Sequence, residues 1–129
     1  MLFVGTTRRF TNERETITLN YECYAEMAIR TMQDLSDQAQ AKWSVKKVSI
    51  VHRIGDVGIG QASIAVAVSS PHRSDSFKAA SWLLEILKRQ VPIWKQENWE
   101  DGSTEWVHPE DATPEMPQPD ASVAAGENE

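Results

Sequence analysis

Two clusters of cations, set at the two ends of one helical stretch, are the residues of this chain whose types and spacing could do chemistry. His72 and Arg73 stand immediately before a helix start in PHRSDSFKAASWLLEILKRQVPIWKQE, residues 71–97. Ser74 suits the N-cap and Asp75 adds a negative charge to the first turn, where the helix dipole favours it. Lys88 and Arg89 fall in the last turn, Pro92 stops the helix, and Lys95 follows after the apolar step Ile93-Trp94. Free backbone N–H groups beside a His-Arg pair make an anion site. The lysines, interleaved with apolar residues, could hold a second charge away from water. The same residues also suit plainer roles, a solvated last turn for Lys88 and a capping loop for His72-Arg73. Residue types alone reach an anion pocket and no further.

Other chemistries fit less well. His52, His72 and His108 lie at no ligand spacing with one another or with Cys23, so no zinc site is expected. No serine sits on a nucleophile elbow. GDVGIG, residues 55–60, follows a strand, but a β-branched segment follows it where a dinucleotide fingerprint needs a helix. Neither a resident metal nor a cofactor is expected. Cys23 reads as a small inert hydrophobe, and a single cysteine fits a reducing compartment, the cytosol.

Around these residues the hydrophobic pattern lays out alternating strands and helices. Residues 2–7 are apolar and β-branched, and residues 16–21 alternate, so the two read as a hairpin across a turn at Thr11-Asn12-Glu13. Residues 25–42 form a helix with Ala28, Met32, Leu35 and Ala39 on one face and Met27 and Met32 packed in the core. Residues 45–53 and 61–70 are strands, joined by a flexible connection at Gly55, Gly58 and Gly60, and the second reads as buried on both sides. In the following helix Phe77, Ala80, Leu84, Leu87 and Val91 recur at helical spacing and give the apolar face. Residues 92–99 are extended, a turn follows at Glu100-Asp101-Gly102, and residues 104–107 return as a partner strand. The order is β-β-α-β-β-α-β-β, which argues for an α+β fold with two helices on one face of a mainly antiparallel sheet.

At 129 residues and 40% apolar composition the chain is one globular domain with a real core. No apolar run is long enough to span a membrane, and the opening MLFVGTTRRF is too short in its apolar part for a signal peptide. The net charge of −6 is local. Residues 1–106 hold thirteen basic and thirteen acidic side chains, whereas 107–129 hold six acids and no Lys or Arg. The neutral body argues against nucleic acid as a partner. The end of the chain, 108–129, reads as a disordered acidic tail rich in proline.

Four blocks, in order and with their intervening lengths kept, resemble the large, catalytic subunit of molybdopterin synthase. They are FVGTTR (3–8), HRIGDV (52–57), VSSPHR ending at Arg73, and LKRQVPIWKQE (87–97). The likeness covers 1–107. It implies an α/β-hammerhead-type core with a small extra β subdomain, and a homodimer at the centre of a heterotetramer. It also implies a segment upstream of Leu2, with a helix leading into the first strand, so the chain reads as N-terminally shortened.

The activity implied by the resemblance is sulfur transfer. Cyclic pyranopterin monophosphate becomes molybdopterin, with sulfur from the C-terminal thiocarboxylate of a small ubiquitin-like subunit. On this basis Lys88 is the main catalytic lysine and Lys95 the second. Arg8, His72 and Arg73 hold the pterin phosphate, with Lys88, Lys95, Gln96 and Glu97 also lining the substrate site. The family pattern has Lys-Lys-Glu where this chain has Lys95-Gln96-Glu97, one positive charge fewer. The alternative from a different class is a non-catalytic module on the same fold that binds anions or docks a partner.

Overall fold

The structure, a computed structural model, describes residues 1–107. The tail expected over 108–129 lies outside the described residues. Ten elements follow one another: β1 (Leu2–Thr6), β2 (Phe10–Thr11), β3 (Arg14–Cys23), α1 (Ala25–Lys42), β4 (Lys47–His52), β5 (Gly55–Gly58), β6 (Ala62–Ser69), α2 (Arg73–Gln90), β7 (Ile93–Trp99) and β8 (Thr104–Val107). Two helices on antiparallel strand pairs make the expected α+β architecture. The strands divide between two sheets, one in the order β1-β6-β4 and one in the order β2-β3-β7-β8 with β5 also on β3.

The first hairpin differs from the expectation. β1 pairs with β6, Leu2 opposite Ala67 and Val4 opposite Ala65, while β3 pairs with β2, β5 and β7. The tight turn at Asn12 and Glu13 joins β2 to β3, both residues taking positive φ as a two-residue hairpin loop of primed type requires. The chain changes sheets just before it. Thr7 stays with the start of β6, its N–H donating to the Gln61 carbonyl at 3.0 Å, while the Arg9 carbonyl accepts from Thr16 N–H at 2.7 Å. Arg8 sits at that crossing. The glycine-rich connection also turned out ordered: Gly55–Gly58 is β5, laid against residues 18–21 of β3.

The core lies between the inner face of the three-stranded sheet and the two helices. α1 contributes Ala28, Leu35 and Ala39, with Met32 partly covered. Met27, expected in the core, is instead exposed, because it lies one residue off that stripe. On α2 the buried stripe is Ser76, Ala79, Ala80, Leu83 and Leu87, joined by Trp82. This is rotated from the expected face: Phe77 points to water, because the small residues Ser76, Ala79 and Ala80 let α2 approach its neighbours closely. Trp43 and Trp82 close the helix pair edge to face at 5.6 Å. β6 buries Val66 and Val68 inward, whereas Ala65 and Ala67 on its other face are only partly covered, so the strand is not buried equally on both sides. No helix among the described residues is long and apolar enough to cross a membrane.

Candidate active site

The head of α2 begins two residues earlier than expected. His72, in extended conformation, occupies the N-cap, and Arg73 is the first helical residue, which moves Ser74 into the first turn. No side chain caps the helix; the His72 carbonyl accepts from Asp75 N–H at 3.2 Å instead. Ser70 donates to the His72 carbonyl, and buried Ser76 donates to the Val68 carbonyl at 3.4 Å, which pins this end of α2 to the end of β6. His72 and Arg73 are thus both exposed on a fixed backbone.

The tail of α2 passes into β7 without slack. Val91 N–H closes the helix on the Leu87 carbonyl at 3.2 Å, and Ile93 N–H donates to the Val91 carbonyl at 2.8 Å. The Pro92 carbonyl accepts from Tyr24 N–H at 3.3 Å, tying the junction to the start of α1. Lys88 is exposed on the last turn, and Lys95 lies on the third residue of β7. The Lys95 ammonium is held 3.3 Å from Oε1 of Glu97. Glu97 itself is buried, and its other oxygen, Oε2, accepts from the Thr16 hydroxyl at 3.1 Å. A carboxylate out of water is tolerated only with such partners on both oxygens.

Beside Lys95 on the same face stands Tyr21, its partner across β3 and β7. The Tyr21 ring meets His52 of β4 edge to face at 4.8 Å, bridging the two sheets. Burial pushes the Tyr21 phenol up; a side-chain hydrogen bond with Ser63 opposes this and the charge of Glu97 adds to it. Burial pushes His52 down, against the hydrogen bond between Nδ1 and the Arg53 carbonyl at 2.8 Å.

The expected site residues therefore fall into two groups. Arg73 and Lys88 are fifteen residues apart on α2, roughly 22 Å at about 1.5 Å per residue, so His72-Arg73 and the lysines occupy opposite ends. Arg8 is likewise at the Ala62 end of β6, and Ser69, before His72, is at the other, roughly 23 Å away at about 3.3 Å per residue. Backbone contacts set Arg8 nearer the start of β3, the segment that faces Glu97 and Trp99. Strand alternation puts Gln96 on the face of β7 opposite to Lys95 and Glu97, in a row with Asn20 and Trp106. Sequence reading missed Thr16 and Tyr21 as neighbours of the lysine, and it took up His52 only as a rejected metal ligand and as the first residue of the HRIGDV block.

Exposed His72 and Arg73 at one end of α2, and exposed Lys88 with half-buried Lys95 at the other, set cations at both ends of one helix on a two-sheet α+β frame. Comparison with known proteins narrows this. The MoaE protein family matches residues 1–90. The molybdopterin synthase catalytic subunit of Bacillus subtilis is 38% identical over 125 residues, covering 97% of this chain and 79% of that protein. The human molybdopterin synthase catalytic subunit is 44% identical over 103 residues, covering 80% of this chain and 55% of that protein. Among solved structures, molybdopterin synthase from Staphylococcus aureus superposes with a TM-score of 0.78 at 40% identity, covering 83% of this chain and 77% of that one. This chain belongs to the MoaE family.

Proposed function

We propose that the chain is the catalytic subunit of a molybdopterin synthase, a cytosolic sulfurtransferase of molybdenum cofactor biosynthesis. It takes cyclic pyranopterin monophosphate as substrate and receives sulfur from the thiocarboxylate of a small ubiquitin-like subunit. The observation that supports the reading is the α2–β7 junction, whose backbone hydrogen bonds fix the last turn that carries Lys88 and the strand that carries Lys95. The donor tail and the phosphorylated pterin are both anions, and bringing them together needs cations between them. Lys88, exposed and adaptable, suits proton movement at the reacting carbon, and Lys95, anchored by Glu97, suits fixed charge.

The phosphate falls to Arg8, His72 and Arg73, with Arg offering two parallel donors and His a third. In a single chain the two ends of β6 hold these groups too far apart for one phosphate, which supports a homodimer in which unlike ends from two copies meet.

The test is sulfur transfer in vitro with thiocarboxylated small subunit and pterin substrate, read as dithiolene formation. Turnover is expected. Tight binding of the small subunit without turnover would leave the docking-module alternative in place.

A further inference from the structure

We infer that Thr16 is a positioning residue for Lys95, acting through the carboxylate of Glu97. The inference rests on the sulfur-transfer reading above. Glu97 has two oxygens and each has one side-chain partner: Oε2 accepts from the Thr16 hydroxyl at 3.1 Å and Oε1 meets the Lys95 ammonium at 3.3 Å. Thr16 and Glu97 are both buried, 2% and 7% exposed, so the bond between them is shielded from water. Fixing one oxygen fixes the plane of the carboxylate, and the plane fixes where the ammonium sits.

The backbone of β3 is bent to make this contact. Leu19 opposes Glu97 and Thr18 opposes Asn98, so in regular pairing Ile17 would oppose Trp99 and point inward. Thr16 opposes Trp99 instead, with the register shifting between Thr16 and Thr18. Ile17 is the extra residue of a bulge and is left 49% exposed. A bulge re-aims the side chain next to it. Here it turns an isoleucine outward and a hydroxyl inward, onto a buried carboxylate that needs a donor. An inward Ile17 would gain burial but leave Oε2 of Glu97 facing hydrocarbon, and a buried carboxylate oxygen without a donor offsets that gain.

The experiment measures steady-state sulfur transfer by Thr16→Val, Thr16→Ser and Glu97→Gln, and by Thr16→Val combined with Glu97→Gln, with thermal melting beside each. Thr16→Val keeps the branched shape and removes the donor. We expect kcat to fall about ten-fold with KM for the pterin near wild type, since a charge-assisted hydrogen bond is lost behind the reacting groups. Thr16→Ser restores most of the rate, and Thr16→Val adds less than about two-fold when Glu97 is already Gln, because the two act as one unit. Wild-type kcat in Thr16→Val, an equal loss in Thr16→Ser, or a full further loss in the Glu97→Gln background would each overturn the assignment. If Thr16→Val does not fold, Thr16→Ala takes its place with the same criteria. A wild-type protein inactive with its small subunit would instead sink the sulfur-transfer reading and this inference with it.

Discussion

The phenol ring of Tyr21 on β3 meets the imidazole of His52 on β4 edge to face, with centroids 4.8 Å apart, and joins the two sheets beside Lys95. Burial holds His52 below its ordinary value of 6.5. The unfolded chain therefore binds the proton more readily, and stability rises with pH through the interval between the two values. The contribution is whole above about 6.5 and is lost as pH falls toward and through the lower folded value. Denaturation midpoints at pH 7.5 and 5.5 should separate more widely for the wild type than for His52→Gln. Equal separations would remove His52 as the cause.

The lysines should separate by severity. Lys88→Ala is expected to lower kcat by at least about 100-fold, the scale of a lost acid–base group, with melting unchanged because Ala suits an exposed last turn. Lys95→Ala should cost about ten-fold, as loss of a fixed charge. Gln96→Ala, on the opposite face of β7, should cost less than either. A ranking with Lys95 above Lys88 in single-turnover assays would reverse the two roles.

Arg73→Ala should weaken pterin binding by about 1.5–3 kcal/mol, the range for a hydrogen bond to a charged group. Docking of the small subunit should be nearly unaffected. Calorimetry with each ligand separates the two, and unchanged pterin affinity would return Arg73 to a role in starting α2.

For stability the informative position is Leu83, fully buried in the stripe of α2 against the core. Leu83→Ala should cost about 3 kcal/mol, transfer plus cavity, in chemical denaturation. A loss below about 1 kcal/mol would mean that α1 and α2 close the gap.

Local signals carried the elements, and long-range pairing defeated them. α1 runs from Ala25 to Lys42 as its periodicity requires, and β7 follows the stop at Pro92. The pairing of β1 with β6 was not legible, because a strand's own alternation does not name its neighbour. Phe77 misled the α2 face, since bulk was weighed where close approach favoured Ser76 and the alanines. Of the site, charged groups before a helix and after its stop could be found by spacing, so His72, Arg73, Lys88 and Lys95 were in view. Thr16 could not be. In the run Thr16-Ile17-Thr18-Leu19, simple alternation assigns Thr16 to the same side as Thr18, and only the bulge moves it across.

That bulge gives β3 two frames in which the same residues can be threaded past β7. In one, isoleucine faces water and a hydroxyl faces Glu97; in the other, the two trade places. The donor that buried Glu97 needs holds the first frame, and the exposure of Ile17 is its consequence. Replacing Ile17 with Lys would close the second frame, since threading that way would carry an ammonium into the space opposite Trp99. Enlarging the attraction of the inward position, by contrast, would let the strand slip by one residue and silence the lysine without altering any group that meets substrate. Position 17 is thus tied to the interior by phase and not by contact with the lysine.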